Sequence, residues 1–252
     1  MPRTLQTGEH NPLSSDAWRH LAGVGFGTLG LAWWLSDWLD AGAAPIVLAA
    51  SACAAAATAL FVGRSVLERT HPFLSFGSAN RITLLRAGLV VLLMGLLLQP
   101  ASVATAWLAV TIASVSALLD AFDGPAARRS GMASRFGARF DMETDALLIL
   151  VLSVLAWRWD RAGAWVLLSG LMRYGFVLAG SVLPWLRREL APSRRRQTVS
   201  VVQGIGLIVC LVPWLPAPAS AAIAAFSLAL LCYSFGVDCR ALAMRRSIEE
   251  AA

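Results

Sequence analysis

The chain has no lysine. All 21 of its basic residues are arginine, which removes Schiff-base chemistry and phosphate-loop nucleotide hydrolysis, since both need a lysine ammonium. Charge of either sign is scarce, at 14% of 252 residues, against roughly 25% in ordinary soluble domains. Histidine is limited to His10, His20 and His71, too scattered for a histidine metal cluster. Cys53, Cys210, Cys232 and Cys239 fall in or near apolar segments without metal-ligand spacing, and read as small buried hydrophobes. Apolar residues fill the chain instead, at 58%, with mean hydropathy +0.66. This excludes a disordered chain, a disulfide scaffold and a large soluble domain. At ~20 apolar residues per crossing there is room for about eight transmembrane helices. The net charge of +6 then reflects arginine retained on the cytoplasmic side, with no nucleic-acid partner implied.

Apolar spans lie near residues 21–35, 44–62, 83–99, 102–119, 142–157, 164–186, 199–214 and 218–236, with breaks at Pro100, Gly124, Gly163, Pro192 and the Pro216/Pro218 pair. Residues 1–17 are polar and read as a cytoplasmic tail, not a signal peptide. With that tail inside, every arginine falls in an inner segment except Arg158 and Arg161 in outer loops and Arg173 within a span. The expected fold is an all-α polytopic membrane protein with both termini in the cytoplasm.

Carboxylates are costly at a membrane, so their positions carry information. Asp120 and Asp123 stand at the expected cytoplasmic end of one span, and Asp141 and Asp145 at the start of the next. Pairs at i,i+3 and i,i+4 share a helix face, so two neighbouring helices can aim four carboxylates into one volume. An oxygen-only cluster of this kind suits Mg²⁺ or Mn²⁺, and a pair of such ions suits phosphoryl transfer. Asp141 alone has a plain explanation as an N-terminal helix residue. Asp120 and Asp123, at an expected helix C-terminus, have none, because the dipole there disfavours anions. Glu143 points away from this face and is expected to pair with an arginine. Asp123-Gly124 reads as a turn opening a short basic loop, where the glycine lets a phosphate or ribose approach the backbone and Arg128 offers its guanidinium to phosphate oxygens.

From Asp120 to Asp145 the chain reads DAFDGPAARRSGMASRFGARFDMETD. This resembles the signature of the CDP-alcohol phosphotransferase family, D-x2-D-G-x2-A-R-x8-G-x3-D-x3-D. It agrees at every fixed position: Asp120, Asp123, Gly124, Ala127, Arg128, Gly137, Asp141 and Asp145. At residue frequencies of ~5–10%, such agreement arises by chance on the order of once in a hundred million windows. A second family stretch, N-x-x-T-x-x-R, is present as Asn80, Thr83 and Arg86.

The resemblance implies a six-helix catalytic membrane core at residues 66–240, preceded by a tail and accessory two-helix hairpin at 1–65 and followed by a cytoplasmic tail at 241–252. It implies attack of an acceptor hydroxyl on a CDP-alcohol with release of CMP. The donor is most simply CDP-diacylglycerol; the reverse arrangement, a soluble CDP-alcohol donating its head group to a lipid hydroxyl, stays open. A non-catalytic transporter or scaffold is the contrasting class, disfavoured by four intact aspartates. By resemblance, Asp120, Asp123 and Asp141 hold metal, and Asp145 is both ligand and general base. CDP is bound by Asn80, Thr83, Arg86, Gly124, Arg128 and Ser134, with clearance from Ala127 and Gly137. The lysine-rich acceptor stretch of many relatives is replaced here by Arg194, Arg195 and Arg196, which with Arg173 are the candidate acceptor contacts. The expected cofactors are two Mg²⁺ or Mn²⁺ ions. The expected partners are the CDP-alcohol, an acceptor alcohol and membrane lipid, with room for a homodimer. The expected place is the cell membrane, with the site facing the cytoplasm.

Overall fold

The computed structural model describes residues 12–39, 73, 75–130, 132, 134–187 and 193–250; for 12–14, 122–130 and 245–250 it gives the backbone path. Every regular element among these residues is helical: α1 (Pro12–Trp38), α2 (Ser78–Leu96), α3 (Val103–Ser130), α4 (Arg135–Arg158), α5 (Leu168–Val182), α6 (Arg194–Cys210) and α7 (Ala217–Glu250), with 3₁₀ turns at Ala164–Leu167 and Pro184–Arg187. Seven of the eight expected spans thus coincide with a helix; the one near 44–62 lies outside the described residues. Among the described residues, four segments are long and apolar enough to cross a membrane: Ser78–Leu96, Val103–Ala121, Ala164–Val182 and Ala217–Met244. The chain is an all-α polytopic membrane protein.

Helix boundaries follow local chemistry. Pro12 opens α1, where its missing N–H costs nothing. Before α3, Ser102 and Thr105 cap each other, each hydroxyl accepting the other's backbone N–H at 3.1 and 2.9 Å. Ser134 caps α4, its Oγ accepting the Gly137 N–H at 3.0 Å. Gly77, at φ 82°, turns the chain into α2 through a conformation that side chains disfavour.

One expectation fails here. Asp123-Gly124 is not a turn: α3 runs unbroken through both residues and through Pro125 to Ser130, and the chain between α3 and α4 is confined to residues 131–134. Asp120 and Asp123 are therefore interior to a helix, not at its C-terminus, and the dipole argument for them does not apply. Glycine and proline cost a helix interior about 1 and 3 kcal/mol, and tertiary anchoring of Asp120 overrides that preference.

Two compact units divide the chain, with boundaries inside α3 at Val115 and inside α4 at Asp145. In the first, Phe76, Leu84, Ala87, Phe136 and Phe140 form a buried core with Ala17, flanked by Leu21 and Val24 of α1. In the second, α6 and α7 pack along each other, and Gln203 donates to the Ser169 hydroxyl at 2.9 Å. Arg161 donates to the Pro213 and Leu215 carbonyls at 3.3 and 2.9 Å, tying the turn after α4 to the turn before α7. Of the cysteines described, Cys210 is buried, Cys239 is half-buried, and Cys232 is exposed on α7, contrary to the expectation of burial.

Candidate active site

Arg86 is the pivot of the site. It sits in the middle of α2, with 1% of its side chain exposed. A buried guanidinium demands anionic partners, and Asp120 and Asp141 are among those it has. Its Nη1 lies 2.8 Å from Asp120 Oδ1 on α3 and 2.5 Å from Asp141 Oδ1 on α4. Asp145 follows Asp141 by one turn of the same continuous helix. Single carboxylate oxygens of Asp120, Asp141 and Asp145 lie within 4.8 Å of one another, and all three residues are half-buried. Hard oxygens, close spacing and partial exposure fit a divalent cation of the Mg²⁺ or Mn²⁺ type.

The sequence-expected residues divide into several groups. Asp120, Asp141 and Asp145 converge as expected. Asp123 lies three residues beyond Asp120 on the same helix; its side chain, and those of Ala127 and Arg128, lie outside the described residues, as do the surroundings of Gly124. Arg86, expected on CDP, faces Asp120 and Asp141. Asn80 and Thr83 are buried on α2, where Asn80 Nδ2 donates to the Phe76 carbonyl at 2.6 Å and the Thr83 hydroxyl to the Ala79 carbonyl at 3.2 Å. Gly137, expected to give clearance, lies against Asn80: a Cβ there would stand 2.6 Å from Asn80 Oδ1. Ser134 serves as the cap of α4.

The acceptor-side arginines all lie in the second unit. Arg173 is half-buried at the middle of the apolar segment Ala164–Val182. Arg195 and Arg196 do not stand alone: they converge on Asp238 of α7, at 2.5 and 3.5 Å. Arg194 is exposed. Asp238 was not singled out from the sequence, although it falls within the apolar segment Ala217–Met244. The cost of an intramembrane carboxylate would have marked it. Asp16 of α1, which accepts the Phe76 N–H at 2.9 Å, was missed for lack of any local signal.

Neither a curated protein nor a solved structure matches the chain. Residues 76–234, from the turn before α2 well into α7, match the CDP-alcohol phosphatidyltransferase family. That range takes in Arg86 and all four signature aspartates, and it covers more than half the sequence. The chain therefore belongs to the CDP-alcohol phosphatidyltransferases, membrane enzymes of phospholipid synthesis that transfer a phosphatidyl group from a CDP-alcohol to an alcohol.

Proposed function

We propose that the chain transfers the phosphatidyl group of CDP-diacylglycerol to an acceptor hydroxyl, in a catalytic domain spanning residues 66–240 that faces the cytoplasm of the cell membrane. The observation that carries this is the convergence of Asp120, Asp141 and Asp145 around a single buried arginine, within the family signature. Asp120, Asp123, Asp141 and Asp145 would hold two divalent cations, Mg²⁺ or Mn²⁺. Bound there, such ions offset charge on the donor's pyrophosphate. Arg86 fixes the facing oxygens of Asp120 and Asp141, so the ligand set is oriented before substrate arrives.

Asn80, Thr83, Arg86, Gly124, Arg128 and Ser134 bind the CDP moiety, with room left by Ala127 and Gly137. Asp145 takes the proton of the acceptor hydroxyl as its oxygen bonds to the diacylglycerol-bearing phosphorus. The phosphoanhydride P–O bond breaks, and CMP leaves with the electron pair. Arg173, Arg194, Arg195 and Arg196 are the acceptor contacts, and guanidinium groups favour a phosphorylated acceptor.

The test incubates purified protein and CDP-diacylglycerol, with Mg²⁺ or Mn²⁺, against glycerol phosphate, inositol phosphate, serine and a lipid alcohol. CMP release and the lipid product are followed. Acceptor-dependent release that requires the metal is expected. A lipid product formed only from a soluble CDP-alcohol would overturn the donor assignment.

A further inference from the structure

Helix α1 lies outside the residues that match the family, and the transfer chemistry assigns it nothing. Its first turns nevertheless reach the start of α2. The N-cap of α2 is Gly77, which offers no side-chain hydrogen bond. An anion from another helix stands there instead. Asp16 Oδ2 accepts the Phe76 N–H at 2.9 Å and faces Arg81 at 3.5 Å. A negative charge at a helix N-terminus is favourable. The Phe76 amide above all, with His20 and Arg81 nearby, outweighs burial and holds the Asp16 carboxyl below its usual range. His20, one turn on, stacks on the Phe76 ring with centroids 6.4 Å apart.

Phe76 passes this anchoring inward. Its ring is fully buried and packs on Phe136 of α4. Its carbonyl accepts Asn80 Nδ2 at 2.6 Å. The other end of that amide, Oδ1, fills the space left by the missing side chain of Gly137, one turn before Asp141 on α4. Asp16, Phe76, Asn80 and Gly137 thus form a continuous series of contacts from an accessory helix to the helix that carries two of the aspartates.

We propose that Asp16 is a positioning residue for the CDP-alcohol: by fixing Phe76 it sets the Asn80 side chain against Gly137. This rests on Asn80 being a contact for the CDP moiety, as proposed above. Asp16 touches no reacting atom, and its effect belongs to donor binding and not to the acceptor.

The test uses the full chain in detergent, with CDP and Mn²⁺ as the binding probe and CMP release as the kinetic one. Asp16→Ala removes the acceptor of the Phe76 amide. It is expected to weaken CDP binding and raise the donor KM by about tenfold, within the range that remote misplacement of a binding group causes, with the acceptor KM unchanged. Asp16→Asn keeps an acceptor oxygen and should fall between Asp16→Ala and the parent. Thr28→Ala loosens the same helix pair elsewhere, where Thr28 Oγ1 stands 2.8 Å from a Cβ built on Gly88; it should shift the melting temperature and leave CDP affinity alone. Should Asp16→Ala fail to fold, Asp16→Asn carries the test, and parental CDP affinity in that variant would overturn the proposal. Donor and acceptor KM rising together, or Thr28→Ala weakening CDP as much as the Asp16 variants, would also overturn it. A parent protein that neither binds CDP nor releases CMP would instead refute the function on which the proposal rests.

Discussion

Two polar clusters in this chain are built with opposite balances. Around Arg86, one buried guanidinium faces the carboxylates of Asp120 and Asp141, with Asp145 beside them. Around Asp238, one carboxylate faces the guanidinium groups of Arg195 and Arg196. The first is set in hard oxygens, which suit a divalent cation. The second is set in planar donors, which match carboxylate and phosphate oxygens alike. On the function proposed above, the first would serve the metal and the second the acceptor.

The sharpest break in this comparison comes from the acidic side. Asp145→Asn removes the proposed base, whose contribution is typically ~10²–10⁴-fold in rate. It should collapse kcat while CDP still binds, measured by CMP release and by titration with CDP. Retained kcat would move the base elsewhere. Next in size is the basic side. Arg173→Ala and Arg195→Ala should raise the KM of a phosphorylated acceptor, by about tenfold for loss of one charge-assisted contact, while the donor KM stays near the parent's. Equal changes in both KM values would make these arginines structural, Arg195 then serving only to neutralise Asp238.

Smaller effects distinguish the two regions by packing alone. Gly137→Ala places a Cβ 2.6 Å from Asn80 Oδ1, and overpacking of this kind costs about 1–3 kcal/mol. A lowered melting temperature together with weaker CDP binding is the expected result. Gly175→Ala, on α5, meets nothing within 4 Å among the described residues. It should leave activity unchanged and stability unchanged or raised by up to ~1 kcal/mol, the helix-propensity gain of alanine over glycine. A loss of activity there would mean that this surface of α5 takes part in the reaction or in substrate binding.

The sequence disclosed different parts of the molecule unequally. Long apolar runs made the helices legible, because only intra-segment hydrogen bonding satisfies a backbone in lipid. The aspartates were legible because carboxylates are too costly there to be incidental. What was not legible is how distant residues pair. Asp238 and Arg195 are 43 positions apart, and Asp16 and Phe76 are 60 apart. No periodicity connects them. The helical path through Asp123, Gly124 and Pro125 was misread for a related reason: local propensity argues for a turn, and the Arg86–Asp120 contact that anchors this part of α3 comes from another helix. Likewise, nothing in the order of residues shows that Asn80 packs against Gly137.

The most direct test of the central claim is the metal dependence of CMP release from CDP-diacylglycerol, compared between the parent protein and Asp141→Asn. The parent should release CMP only with acceptor and Mg²⁺ or Mn²⁺ present. The variant, still folded and inserted but with one ligand charge gone from the Arg86 cluster, should release none at any metal concentration. Parent-like release by Asp141→Asn at saturating metal, or release by the parent in a metal-free chelated buffer, would contradict the account.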